Sequence, residues 1–209
     1  MSLDLRQALA ELPLIAILRG LEPENALAVG QNLVDAGFRI IEVPLNSPRP
    51  FDSIERLAKA FGARALIGAG TVLRYEDVAR VKGSGGRLIV MPHSDTHIIG
   101  EAKAQGQTCL PGVATPTEGF AALAAGADGL KLFPAEAIPP VVVKAWRAVF
   151  PPETLLLPVG GITPERMADY RAAGASGFGL GSALFHPGLT TAEVQTRAKA
   201  FASAISGGT

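Results

Sequence analysis

An ammonium interrupts a short apolar run at Asp128-Gly129-Leu130-Lys131-Leu132-Phe133-Pro134. Strand alternation puts Gly129, Lys131 and Phe133 on one face and Leu130 and Leu132 on the other. A charged lysine facing an enclosed interior is costly unless it is paired or deprotonated. Desolvation lowers its pKa, and a neutral amine is a nucleophile toward carbonyl carbon. The structural alternative is a strand-end lysine whose head snorkels to water. Two more groups make a chemical set with it. Glu42, in Ile40-Ile41-Glu42-Val43, supplies a carboxyl able to relay protons, and Arg19, at the end of Leu14-Ile15-Ala16-Ile17-Leu18, supplies a guanidinium that can grip a carboxylate at two points. Glycine-rich turns follow two later apolar runs: Gly160-Gly161 after Leu155–Val159, and Gly181-Ser182 after Gly177–Leu180. Such turns expose backbone N–H groups to an anion, or merely close a tight turn.

These residues need a scaffold, and the chain repeats one pattern throughout. Short apolar segments at 14–18, 39–43, 65–69, 87–91, 107–110, 128–133, 155–159 and 177–180 alternate with helix-like stretches at 23–36, 51–61, 75–81, 96–104, 117–125, 139–149, 164–173 and 192–205. Ala36-Gly37, Ala125-Gly126 and Ala173-Gly174 read as helix ends. Thr115-Pro116-Thr117-Glu118 and Thr163-Pro164-Glu165 read as helix starts. Repeated strand–helix alternation implies a parallel sheet with right-handed crossovers. The expected fold is a (β/α)8 TIM barrel forming one domain over residues 1–209, with an open doubly wound sheet as the alternative. Alternation then predicts that Ile15, Ile17 and Arg19 share one face with Ile40 and Glu42 and with Ala65, Ile67, Ala69 and Thr71. Arg19, Glu42, Thr71 and Lys131 are expected to meet at the C-terminal rim.

Composition narrows the class. Lys plus Arg and Asp plus Glu are both 19, so the formal net charge is zero, which gives no footprint for nucleic acid or an anionic membrane. One cysteine, Cys109, permits no internal disulfide and reads as a buried small hydrophobe. The run Leu14–Leu18 is too short for a signal or a membrane span, so a cytoplasmic setting is expected.

Five segments together resemble one family. Leu12-Pro13-Leu14-Ile15-Ala16-Ile17-Leu18-Arg19-Gly20, Ile41-Glu42-Val43-Pro44-Leu45-Asn46-Ser47-Pro48, Ile67-Gly68-Ala69-Gly70-Thr71-Val72-Leu73, Gly129-Leu130-Lys131-Leu132-Phe133-Pro134 and Val159-Gly160-Gly161-Ile162-Thr163-Pro164 are similar to the class I 2-keto-3-deoxy-6-phosphogluconate/galactonate aldolases. The resemblance runs from about Leu12 to Phe185 and implies a homotrimeric aldolase that needs no metal or other cofactor and acts on a small phosphorylated keto acid. It makes Lys131 the Schiff-base lysine and Glu42 the general acid/base. Arg19 and Thr71 would hold the keto-acid end, and Gly160, Gly161, Gly181 and Ser182 the phosphate. Gluconate-type members carry an arginine four residues after the glutamate and a threonine before the paired glycines; here those positions are Asn46 and Val159. The galactonate branch is therefore expected, with the gluconate epimer as the alternative substrate. Asn46, Phe133, Val159 and His93 are further candidates to line the pocket; His93 departs from the asparagine or other small residue the family pattern suggests, and its alternative reading is a strand-end histidine hydrogen-bonded to a loop.

Other readings of the same residues are blander. His93 and His97 have the spacing of a two-histidine metal face, but Pro92 and Ser94-Asp95 place a helix start between them and no third ligand is close in sequence. Trp146 reads as packing in a helix or subunit contact, Asp128 as a turn or cap residue, and Arg74 and Arg87 as solvated. A phosphosugar isomerase on this scaffold would use Glu42 and the glycine loops without a nucleophilic lysine. A non-catalytic phosphate-binding barrel would use the loops alone.

Overall fold

Nine short parallel strands carry the fold in the computed structural model, which describes residues 3–206. They are β1 (Leu14–Ile17), β2 (Ile40–Pro44), β3 (Leu66–Gly70), β4 (Leu88–Val90), β5 (Thr108–Leu110), β6 (Gly112–Val113), β7 (Leu130–Leu132), β8 (Leu156–Pro158) and β9 (Phe178–Leu180). Helices α1 (Leu5–Glu11), α2 (Ala26–Asp35), α3 (Pro50–Phe61), α4 (Glu76–Gly83), α5 (Thr96–Ala104), α6 (Pro116–Ala124), α7 (Pro140–Arg147), α8 (Pro164–Ala172) and α9 (Thr191–Ser206) alternate with them. No described helix is long and apolar enough to cross a membrane.

The strands do not form the closed eight-stranded barrel expected from the pattern. Six of them make a curled half-barrel sheet in the order β5-β4-β3-β2-β1-β9, and β6-β7-β8 make a separate three-stranded sheet. Both seams have a local cause. Between β5 and β6 stands Pro111, which has no N–H to give to a ladder, although its carbonyl still accepts from Lys131 N at 2.9 Å. At the other seam β8 and β9 are joined by one isolated bridge, Val159 to Gly179. There the side chain of Val159 lies over the position a Gly179 Cβ would take, 2.6 Å from Val159 Cγ2. The sequential strand order, with β9 returning beside β1, also departs from a doubly wound sheet.

Asp128 stitches the first seam. Its carboxylate accepts from Cys109 N at 2.8 Å and pairs with Lys103 Nζ at 2.6 Å, and its own N–H reaches Cys109 O at 3.0 Å. It links the edge of one sheet to the strand that bears Lys131, a larger task than the turn or cap role read from the sequence. Arg87 is likewise not solvated as expected: it is half-buried and donates to the carbonyls of Leu3, Gly62 and Ala65. Arg74 is exposed and pairs with Asp77 at 3.2 Å. Trp146 is buried, with its ring 5.7 Å from that of Phe150.

Two apolar clusters divide the faces of the sheets. The outer one packs Leu14, Ala16, Ile41, Val43, Ile67 and Ile89 under the helices. The inner one joins Ile15, Ile40, Leu66, Leu88, Leu110 and Leu157 to Leu5, Ala8 and Leu9 of α1. Helix α1 thus covers the N-terminal ends of the strands, leaving the C-terminal ends for a site. Its start is fixed by a capping box between Asp4 and Gln7, a signal present in the sequence but not read there.

Register corrects one predicted face. Ile15 pairs with Ile40, and Ile40 with Leu66; Glu42 stands opposite Gly68, and Pro44 opposite Gly70. The inward residues of β3 are therefore Leu66, Gly68 and Gly70, while Ala65, Ile67 and Ala69 pack outward. A one-residue error in register exchanges the faces. The two inward glycines have a steric purpose: a Cβ on Gly68 would fall on the Leu88 carbonyl, and a Cβ on Gly70 on the Glu42 carboxylate.

Candidate active site

Glu42, the third residue of β2, points inward with Ile40 and is 1 % exposed. Its Oε2 is buried with no hydrogen-bond partner among the described residues. Burial pushes this carboxyl up to about 7, against the opposing pull of Lys131 and Arg19. Lys131, the middle residue of β7, is 6 % exposed, with Nζ 4.8 Å from the centre of the Phe133 ring. Burial lowers its pKa, Glu42 raises it, and Arg19 lowers it again. Two buried ionisable groups of opposite type thus sense each other, with no ion-pair contact between them. A proton is cheap to move between such groups, because neither is strongly held in its charged form.

A cavity of about 670 Å³ opens beside Lys131. Arg19, Phe133 and Val159 line it, and so do Gly160, Gly161, Gly181 and Ser182. The two glycine turns differ in kind. Gly160 and Gly161 have φ of 114° and 60°, positive values that favour glycine, most strongly at Gly160. Gly181 has no such φ, and a Cβ there would meet nothing within 4 Å. Packing leaves glycine at 181 optional, whereas close approach of a ligand to the backbone would require it.

The remaining candidates are not among the lining residues. Glu42 is not among the residues lining the cavity, but it acts electrostatically on Lys131, which is. Thr71 is half-buried just past β3 with φ 53°, so strand alternation no longer fixes its direction. Asn46 is exposed and accepts from Arg19 Nη1 at 3.1 Å, so it orients the guanidinium without lining the cavity. His93 is exposed and is not among the residues lining the cavity. It shares the parity of Ile89 and Met91, which face the helices, rather than that of Leu88 and Val90. Cys109 is buried and its thiol is pushed up to about 12 by burial and by Asp128, which leaves no thiolate at neutral pH.

Sequence reading missed several lining residues, chiefly Glu136 and His186. Glu136 lies in a 3-10 turn, Ala135–Ala137, directly after the lysine strand. His186 follows the Gly181-Ser182 turn. Their place just beyond strand C-termini was the available signal.

The model of the KDPG and KHG aldolase family matches residues 5–199. The chain belongs to this family. It is 50 % identical over 188 residues to a probable 2-dehydro-3-deoxy-6-phosphogalactonate aldolase of Rhizobium meliloti (strain 1021), covering 90 % of this chain and 89 % of the relative. It is 46 % identical over 194 residues to the 2-dehydro-3-deoxy-6-phosphogalactonate aldolase of Escherichia coli (strain K12), covering 93 % and 95 %. A solved structure described as native KDPGal superposes with a TM-score of 0.93 at 45 % identity, covering 95 % of this chain and 96 % of that one.

Proposed function

We propose that the chain is a class I aldolase, a carbon–carbon lyase that cleaves 2-dehydro-3-deoxy-6-phosphogalactonate to pyruvate and glyceraldehyde 3-phosphate. The observation that carries this reading is the pairing of a buried amine of lowered basicity with a buried carboxyl held near pH 7, beside a cavity of substrate size. The two phosphogalactonate aldolase relatives support the substrate.

Neutral Lys131 adds through Nζ to the C2 carbonyl of the keto acid. Glu42 gives a proton to the carbinolamine hydroxyl, directly or through a water, and water leaves to form the iminium. Glu42, now a carboxylate, takes the C4 hydroxyl proton. The C3–C4 bond breaks, its electron pair passes into the iminium, and glyceraldehyde 3-phosphate departs. The enamine that remains is protonated at C3, and hydrolysis releases pyruvate and the free amine. A carboxyl near 7 suits both directions of this traffic at neutral pH. The iminium is the electron sink, so the steps need no metal. Arg19, oriented by Asn46, and Thr71 hold the carboxylate end. The N–H groups around Gly160, Gly161, Gly181 and Ser182 hold the phosphate, near the N-terminus of α8. Phe133 and Val159 form the wall between the two ends. A homotrimer working in the cytoplasm completes the proposal.

Pyruvate with borohydride tests it. The expected result is a reduced adduct on Lys131, found by peptide mass analysis, with loss of activity that tracks labelling. Labelling at another residue, or turnover surviving in Lys131→Ala, refutes the role of Lys131, and the absence of any trapped adduct returns the isomerase reading. The gluconate epimer is a second substrate reading, favoured by the breadth of the matched family. Parallel assays of the two epimers, coupled to pyruvate release, rank them by kcat/KM.

A further inference from the structure

Beyond the end of β1 the chain turns through Arg19-Gly20, and two residues of the turn after β2 accept hydrogen bonds from it. The last ladder bond between these strands runs from Leu18 N to Glu42 O at 3.0 Å. Past it, Gly20 N donates to Ser47 Oγ at 2.9 Å, and Arg19 Nη1 donates to Asn46 Oδ1 at 3.1 Å. The two acceptors differ in how firmly they hold. Asn46 is exposed, so its bond to the guanidinium competes with water. Ser47 is 7 % exposed, and its own N–H donates to Pro44 O at 2.9 Å. The start of its turn is tied to β3, where Leu45 N donates to Gly70 O at 2.8 Å. Ser47 is therefore a sheltered acceptor on a braced turn. Gly20 is confined from another side as well: its φ is 81°, and a Cβ there would fall 2.5 Å from Pro187 Cγ.

Arg19, Gly20 and Pro187 line the cavity, whereas Ser47 does not. The arginine side chain is long and exposed, so burial does not fix where its guanidinium sits. The backbone that carries it must do so. We propose that Ser47 is a positioning residue for Arg19: by holding the Gly20 N–H it fixes the turn from which the guanidinium reaches the substrate's carboxylate. This rests on the assignment of Arg19 to the carboxylate end. Without Oγ the Gly20 N–H loses its partner and the turn loosens. Arg19 then loses more conformational entropy when it closes on the carboxylate.

Pyruvate is the probe, because it carries the ketone and the carboxylate but no phosphate. The measurement is the pyruvate concentration that half-saturates borohydride trapping on Lys131 in the intact protein. Ser47→Ala should raise it about fivefold, the worth of one neutral hydrogen bond. Ser47→Cys, which keeps the bulk and replaces the oxygen by a poor acceptor, should do the same. Affinity for inorganic phosphate, measured by calorimetry, should be unchanged in both variants. Arg19→Met should also weaken trapping, and Ser47→Ala added to it should change nothing more, since no guanidinium remains to be positioned. Wild-type trapping in both Ser47 variants would overturn the positioning role and leave Arg19 at the carboxylate. So would phosphate affinity that falls in step with pyruvate, the mark of a purely structural role, or a Ser47→Ala effect undiminished beside Arg19→Met. Trapping by Arg19→Met equal to the wild type's would overturn the carboxylate assignment and the inference together.

Discussion

Replacing Glu42 by Gln isolates the energetic consequence of burying this carboxyl. In the folded protein the group keeps its proton up to about pH 7, against an ordinary value of 4.5. Between those values the native state binds more protons than the unfolded chain, so stability falls as pH rises. Below the window both states are protonated and the contribution vanishes. Above about 7 the full penalty persists, and the displacement corresponds to about 3 kcal/mol at 1.36 kcal/mol per pH unit. Gln does not titrate, and the buried amide's own hydrogen-bonding deficit is independent of pH. Urea denaturation of both proteins should therefore show Glu42→Gln gaining about 3 kcal/mol relative to wild type between pH 4.5 and pH 8.5. For a chain of this length that equals a rise in Tm of about 6–12 °C. The same variant should lose roughly 10²–10⁴-fold in kcat, because the acid/base group is gone. Greater stability with lower turnover at pH 8 is the signature of a group whose burial serves chemistry. A stability difference that is constant from pH 4.5 to 8.5 would refute the reasoning, since the carboxyl would then titrate as if solvated.

Lys131→Met removes the cation that pulls Glu42 down, so the midpoint of the Glu42-dependent stability change should move above about 7; urea series on Lys131→Met with and without Glu42→Gln measure it. Gly70→Ala should destabilise by about 1–3 kcal/mol and slow turnover, because its Cβ falls on the Glu42 carboxylate and one of the two must move. Asp128→Ala should cost about 2 kcal/mol in chemical denaturation, the worth of a charged acceptor lost from Cys109 N and Lys103 at the seam. Val159→Thr places a hydroxyl on the cavity wall at nearly constant volume, and should shift the ratio of kcat/KM between the two epimers by about tenfold toward the gluconate form.

What could be read from the sequence followed the strength of each local signal. Strand–helix alternation is written in every apolar segment, and it located all the strands but one. It carries no information on ladder closure, which here depends on a missing N–H at Pro111 and on Val159 overlying Gly179. Those are pair properties, visible only once β8 lies beside β9. The same limit explains β3. Within one strand Ala65-Leu66-Ile67-Gly68-Ala69-Gly70 has two apolar faces, and alternation alone cannot choose between them. Register with β2 chooses, and it puts the glycines inward. That outcome bears on the site as much as on the fold. A carboxyl can stay buried, unpartnered and near pH 7 only if the neighbouring strand yields it space without supplying a donor. Gly70 does this: it contributes no side chain to clash with the carboxyl or hydrogen-bond to it. The motif Gly68-Ala69-Gly70 thus belongs to the chemistry of Glu42, although neither glycine carries a functional group.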